Sequence, residues 1–568
     1  MLTLLSMKRF YTYSLIIGFV LSSCGTPKRL PRAQTFTNAA VVTAHPLASQ
    51  VGVDILKGGG NAIDAAVAVQ FALAVVYPNA GNIGGGGFMV YRDHSGVIDA
   101  LDFREKAPAG ASEKMYLDKD GNVIEDLSVY GHLSAGIPGS VAGMEEAHKK
   151  YGKLAWPTLL APAIELAEKG FRITAQQAEE FDQYKDSFVK YNPAGAPILQ
   201  NGSWKKGQLF IQNDLGATLK RISAEGRAGF YKGKTADLLV NEMKKGKGII
   251  SHADLENYQA IWRTPATGYY RGHKIICMPP PSSGGPALVA LLQSVEQFPL
   301  SKWGFQADST VRVMVEAERR VYADRAKYLG DPDFIRVPVA ELTDATFNQK
   351  RMQAVDLSSA TPSSSVHAAK FAGYESEETT HFSIVDKDGN AVSITTTLNN
   401  SYGSRVFVQG AGFLLNDEMD DFSVKPGVPN IYGLVGGKAN AVEANKRMLS
   451  SMTPTIIEKD GALRMVVGTP GGSTIMTSVF QTILNVIDFG QDAQTSVNSP
   501  RFHHQWLPDQ IDVEARAIKP EVRQSLQRDG YKIVPRGSIG RVENILVLPN
   551  KVLQTGADPR GDDQARGY

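Results

Sequence analysis

Two threonines are spaced so that their hydroxyls could form a nucleophilic pair. The segment Thr379-Thr380-His381-Phe382-Ser383-Ile384-Val385 runs through Asp386-Lys387-Asp388-Gly389-Asn390 into Ala391-Val392-Ser393-Ile394-Thr395-Thr396-Thr397. Apolar residues alternate on both arms, which predicts a β-hairpin. If the hairpin is symmetric about Asp388, Thr379 lies opposite Thr397. A two-residue Asp-Gly loop would shift the register by one and part them. One hydroxyl facing another at the open end of a hairpin suits an activated nucleophile. Threonine is also simply a good strand residue, so the pattern alone leaves the catalytic and the structural readings open.

Other elements must hold this hairpin. Pro46 to Lys57 reads as a helix stopped by Gly58-Gly59-Gly60. Asn61 can cap a second helix, with Asp64 three residues on. That helix is apolar nearly all round and ends at Pro78, which predicts burial. The glycine-rich stretch Gly81-Asn82-Ile83-Gly84-Gly85-Gly86-Gly87 then leads into a strand, Phe88 to Tyr91. A dinucleotide loop would need glycine where Met89 stands, and would open a helix instead of preceding a strand. Residues 140–350 read as mostly helical, with irregular connections such as Pro279-Pro280-Pro281-Ser282-Ser283-Gly284-Gly285. Residues 357–378, rich in Ser, Thr, Ala and Glu, read as an exposed linker directly before Thr379. Asp-Lys-Asp-Gly-Asn occurs at 118–122 and 386–390. A calcium loop would have glycine sixth and glutamate twelfth; here glycine is fourth and the twelfth places are Val129 and Thr397. Both copies predict β-turns.

The 568 residues are 43% hydrophobic and 21% charged, which excludes a disordered or collagen-like chain. Lys+Arg (60) nearly balance Asp+Glu (58), so the totals show no basic field of the kind nucleic acid requires. At the N-terminus, Lys8 and Arg9 precede an apolar stretch from Tyr13 to Leu21. It falls short of the ~20 residues of a bilayer span and fits a signal peptide. Leu21-Ser22-Ser23-Cys24 resembles a bacterial lipobox. Residues 1–23 are then a signal peptide, Cys24 carries the lipid and 24–40 form a tether. The other reading is an ordinary signal peptide with a coincidental cysteine. Gly25 after the cysteine favours the outer membrane, hence a periplasmic or cell-surface enzyme or binding protein. With Cys24 lipidated, Cys277 has no disulfide partner and should be a small buried hydrophobe.

Eight motifs run in order through the chain: Asn82-Ile83-Gly84-Gly85-Gly86-Gly87-Phe88-Met89, Asp102-Phe103-Arg104-Glu105, Gly136-Ile137-Pro138-Gly139-Ser140, Thr379-Thr380-His381, Met419-Asp420-Asp421-Phe422, Leu449-Ser450-Ser451-Met452-Thr453-Pro454-Thr455, Gly468-Thr469-Pro470-Gly471-Gly472-Ser473 and Pro500-Arg501-Phe502-His503-His504-Gln505. Together they resemble the γ-glutamyltransferase family of N-terminal-nucleophile hydrolases. The resemblance implies an α+β, four-layer αββα fold and a precursor that cuts itself between Glu378 and Thr379. A large subunit, 41–378, and a small subunit, 379–568, would stay together as a heterodimer.

In that family pattern Thr379 is the nucleophile and its free α-amine the base. Thr397 orients it, and the N–H groups of Gly471 and Gly472 form the oxyanion hole. Arg104, Ser450 and Ser451 take the substrate α-carboxylate; Asn399, Glu418 and Asp421 take its α-ammonium. Tyr432, within 426–437, belongs to a lid. The substrates implied are glutathione and other γ-glutamyl compounds, the acceptors water, amino acids and peptides, and the family needs no metal or cofactor. Without the resemblance, Arg104–Glu105 would read as a structural ion pair and Asp420-Asp421 as an exposed turn. His503-His504 with Asp509 reads as structural, and His381 is not needed as a base. Within the same fold, a glutaryl acylase would have no use for Asp421, and an enzyme of poly-γ-glutamate remains open. An inactive surface-binding lipoprotein is the reading from a different class.

Overall fold

The hairpin forms with the symmetric register. Pairs run from Thr380 opposite Thr396 to Val385 opposite Ala391 in the strands Thr380–Val385 and Ala391–Thr397. The turn sets it. Asp386 N donates to Asn390 O (3.0 Å) and Gly389 N to Asp386 O (3.1 Å), with Gly389 at φ +88°. The Asp386 carboxylate accepts from the N–H groups of Asp388 and Asn390. This five-residue turn keeps Thr379 and Thr397 opposed, as a two-residue loop would not. The copy at Asp118 repeats it, with Asp118 N to Asn122 O at 2.8 Å.

The computed structural model describes residues 30–366, 379–428, 430, 433–434 and 436–568. The hairpin is central in an antiparallel sheet ordered Gln564–Gly567, Ala40–Thr43, Thr380–Val385, Ala391–Thr397, Gly86–Arg92, Ile98–Phe103, Ile261–Arg263. A second antiparallel sheet is ordered Gln34–Phe36, Leu553–Ala557, Glu543–Val547, Ala462–Gly468, Thr455–Lys459, His273–Cys277, Ala266–Tyr270. Between them Val42, Phe88 and Val90 meet Ile276, Ile456, Val466 and Ile545. Such a face-to-face core follows from the inward half of each alternating strand. The helices Pro46–Lys57, Ala62–Val76 and Trp156–Lys169 share the core on the outside of the first sheet. Gly284–Glu296, Asp308–Tyr328 and Thr474–Ile487 do so on the outside of the second. The layers are therefore αββα, the fold expected.

The two N-terminal helices follow their sequence signals. Asn61 and Asp64 form a reciprocal capping box, each side chain bonded to the other's backbone N–H at 3.0 Å. Every residue of Ala62–Val76 is buried, as an all-round apolar helix requires. Between 140 and 350, however, strands interrupt the expected helices: the two-residue pair Phe171–Arg172 and Leu209–Phe210, then Ile261–Arg263, Ala266–Tyr270 and His273–Cys277. They are short, and the last two turn at Arg271-Gly272, both at positive φ. Tyr269, 65% exposed, shows why the edge strand carries no apolar run. The expected linker is docked where it is described: Ser363 N donates to Asp509 (2.7 Å) and Val366 is buried. Residues 367–378, Glu378 included, lie outside the described residues. Cys277 is buried beside Thr455, and burial pushes its thiol up to about 12, out of reach of ordinary thiolate chemistry.

Candidate active site

Thr379 and Thr397 meet at the mouth of the hairpin. Both are buried and their hydroxyl oxygens lie 3.4 Å apart. Asn399, held at φ +79°, turns its backbone N–H back onto the Thr397 hydroxyl at 2.8 Å. Asn82 fixes the end of this strand: its amide donates to Thr396 Oγ1 (3.1 Å) and Thr397 O (2.9 Å), and its oxygen accepts from Gly85 N (3.1 Å) and Ser140 Oγ (2.6 Å). The glycine-rich loop must press onto that strand, since a Cβ at Gly85 would collide with the Thr397 carbonyl oxygen. His381, two residues from Thr379, contacts Thr395 Oγ1 (2.9 Å) and Ser383 Oγ (3.0 Å) between the sheets. Burial lowers its pKa to about 3, so it stays neutral and structural.

A charged cluster adjoins the threonines. Arg104 is fully buried and pairs with Glu418 and with Asp421, while Glu105 lies 3.6 Å away. The Arg104 guanidinium also donates to Met448 O and Leu449 O, each at 3.3 Å. Burial opposes the Arg104 charge, but Glu418, Asp421 and Glu105 outweigh it and hold its pKa above the ordinary value. Burial pushes Glu105 up to about 8 and raises Glu418 and Asp421, against the pull of Arg104. Three carboxylates around one guanidinium cannot all stay ionised in a dry site. Arg104 thus makes more than a local pair with Glu105; its main partners come from a distant segment. Glu418–Asp421 is a 3₁₀ turn, not an exposed one, and Asp420 is buried, accepting from Ser128 Oγ at 2.6 Å. Asn416 ties it down, donating to Gly84 O and Gly136 O (2.8 Å each) and accepting from Glu418 N (3.0 Å).

The third wall is made of hydroxyls and glycines. Gly471 (φ +136°) and Gly472 (φ +51°) precede the helix Thr474–Ile487. No acceptor among the described residues takes either N–H, so two donors stand at a helix N-terminus, where negative charge is favoured. The Ser450 hydroxyl accepts from Met452 N (3.1 Å), and that of Ser451 from Arg325 (3.0 Å). Arg104, Thr379, Thr397, Asn399, Glu418, Asp421, Ser450, Ser451 and Gly472 all line one cavity of about 20 Å³, with Leu434 on its wall. Gly471 is adjacent to it in sequence. That volume is about that of one water. Tyr432 and Cys24 lie outside the described residues.

Sequence reasoning missed Asn82 and Asn416 as organisers, and Arg325 and Ser283 behind the serines. They carry no local signal, because each acts across long stretches of chain. His503 lies between Thr477 Oγ1 and Gln505 Oε1, both at 2.8 Å, and His504 is 3.4 Å from Asp509. Burial lowers these histidines to about 3 and about 4, which keeps both neutral. Among the described residues no group of His, Cys, Asp and Glu is placed to hold a metal ion.

With this geometry in hand, the chain can be set beside known proteins. A family model described as gamma-glutamyltranspeptidase matches residues 48–568. The glutathione hydrolase proenzyme of Escherichia coli (strain K12) is 46% identical over 531 residues, covering 93% of this chain and 91% of its own. The crystal structure of cephalosporin acylase from Bacillus halodurans superposes with a TM-score of 0.84 at 27% identity, over 97% of this chain and 99% of its own. That of Helicobacter pylori gamma-glutamyltranspeptidase gives 0.57 at 45% identity, over 60% of this chain and 97% of its own.

Proposed function

The chain belongs to the gamma-glutamyltranspeptidase family, and from that premise we propose that it is a self-processing γ-glutamyltransferase acting on glutathione and related γ-glutamyl compounds. The observation that carries this reading is the pairing of the Thr379 and Thr397 hydroxyls, 3.4 Å apart, on the wall of a cavity that also holds a guanidinium and two carboxylates.

In the first step the Thr379 hydroxyl attacks the Glu378 carbonyl, and the chain shifts from amide to ester. Water then hydrolyses the ester, which leaves large and small subunits together and a free α-amine on Thr379. An α-amine has a pKa of ~7.7–8.0, so it can take the proton of its own hydroxyl near neutral pH. The hydroxyl then attacks the γ-carbonyl of the substrate. The N–H groups of Gly471 and Gly472 receive the oxyanion, the amine leaves with a proton, and a γ-glutamyl ester forms on Thr379. Water completes hydrolysis; the amine of an amino acid or peptide completes transfer.

Selection follows from charge exchange. Arg104 is held by Glu418 and Asp421. A zwitterionic α-amino acid brings a carboxylate for Arg104, Ser450 and Ser451 and an ammonium for Asn399, Glu418 and Asp421, so no buried charge is stranded. A glutaryl group would take Arg104 and leave the acids without a cation, which is costly. That favours γ-glutamyl over glutaryl compounds. Purified protein should release p-nitroaniline from γ-glutamyl-p-nitroanilide, faster when glycylglycine is added, and roughly 10²-fold more slowly from the glutaryl analogue. Equal turnover of the two anilides would sink this reading.

The anchor rests on sequence alone: a short apolar stretch and Leu21-Ser22-Ser23-Cys24, outside the described residues. We place the enzyme in the periplasm or at the cell surface, lipid-anchored to the outer membrane, with the segment around Tyr432 as the pocket lid. A Cys24→Ser variant should move activity from the membrane fraction to the soluble periplasm. Activity that stayed in the membrane pellet would refute the anchor.

A further inference from the structure

Behind the carboxylate-binding serines lies a second arginine. Arg325, near the end of the helix Asp308–Tyr328, is 5% exposed. Its Nη2 donates to Ser451 Oγ (3.0 Å) and its Nε to Ser283 Oγ (3.0 Å). Ser283 in turn donates from Oγ to Ser450 O (2.6 Å), and its N–H donates there too (2.7 Å). Arg104 grips the same loop from the other side, through Met448 O and Leu449 O. The serine loop is therefore clamped between two guanidinium groups.

The direction of these bonds matters. A guanidinium only donates; a hydroxyl has one proton and two lone pairs. With a lone pair of Ser451 turned to Arg325, its proton points away from the guanidinium. Ser450 is set the same way by the backbone N–H of Met452. No acceptor among the described residues takes either proton, and both side chains line the cavity. Two hydroxyls, each already accepting a bond, are thus left to donate into the cavity. A carboxylate supplies two acceptor oxygens; a carboxamide supplies one and opposes the second hydroxyl with an N–H.

We propose that Arg325 is a positioning residue that fixes the hydrogen-bond polarity of Ser451 and so makes the pocket selective for a free α-carboxylate over an α-carboxamide. The proposal rests on the γ-glutamyl reading above. Arg325 also lies near Asp421, on the ammonium side, so the test must separate the two ends of the substrate.

The test compares γ-glutamyl-p-nitroanilide with the same anilide carrying an α-carboxamide. In Arg325→Gln, whose amide oxygen can accept from Ser451, KM for the carboxylate substrate should rise about 10-fold or more. kcat should stay within roughly threefold, and the carboxylate-to-carboxamide preference should fall about 10-fold. Arg325→Lys, still a pure donor, should regain most of that preference. In a Ser451→Ala background the Arg325 change should no longer move it. Equal losses on both substrates, or a fall in kcat with KM unchanged, would reduce Arg325 to a scaffold residue and overturn the proposal. If Arg325→Gln does not accumulate, Arg325→Met, which removes the donors, decides in its place: a loss of preference that vanishes in the Ser451→Ala background supports the proposal, and equal losses on both substrates overturn it. Wild-type protein inactive on both anilides would instead overturn the γ-glutamyl reading itself.

Discussion

A Thr379→Ala variant is expected to remain a single uncut chain and to release p-nitroaniline roughly 10⁴-fold or more slowly than the wild type. The hydroxyl that opens the backbone and the hydroxyl that attacks the substrate are the same atom, so one deletion removes both steps. Its neighbours cannot stand in. Thr397 is already engaged by the N–H of Asn399, and His381 faces Thr395 and Ser383 between the sheets. The loss should be chemical and not a failure to fold, since trimming one threonine typically costs ~1 kcal/mol. Melting temperature should therefore change by only a few degrees. Thr379→Ser, which keeps the hydroxyl, should restore cleavage and turnover. A Thr379→Ala chain that still cut itself would assign the nucleophile elsewhere.

The second large effect belongs to Arg104→Gln. Arg104 is the cation for Glu418, Asp421 and Glu105 in one buried cluster. Removing it strands buried carboxylates, a change that costs about 3–5 kcal/mol. The folded-state pKa values of these acids are raised by burial, that of Glu105 to about 8. A raised acid favours folding while it is protonated and loses that contribution as pH climbs through its folded value. In the variant the raising is stronger, so the destabilisation should be smallest at acidic pH and grow as pH climbs through about 8 and beyond. Substrate capture should fall about 10³-fold in kcat/KM, chiefly through KM, because the α-carboxylate loses its planar fork. A thermal-melt series across pH checks the first claim and steady-state kinetics the second. A pH-independent melting loss would mean that the carboxylates do not sense Arg104.

Much of this site can be read from local pattern. The hairpin is legible from apolar alternation on both arms, but its register is not: the sequence admits a symmetric turn or a two-residue Asp-Gly loop, and the five-residue turn with Gly389 at positive φ selects the first. The capping box at Asn61 and Asp64 is legible because its signal lies within one helical turn. The motifs also point to Arg104, Asp421 and the serine pair. What they cannot give is who holds whom. Arg104 sits next to Glu105 in sequence, yet its main partners are Glu418 and Asp421. Asn82, Asn416 and Arg325 work by bonding across more than a hundred residues, which leaves no periodicity. The strands at 261–277 were hidden by their length and by exposed tyrosine at the sheet edge.

The central claim is that the chain makes its own nucleophile. Intact mass and N-terminal sequencing of the purified wild-type protein test it most directly. Two fragments that co-purify are expected, the smaller beginning Thr379-Thr380-His381. A single uncut chain, or a cut at any other peptide bond, would contradict it.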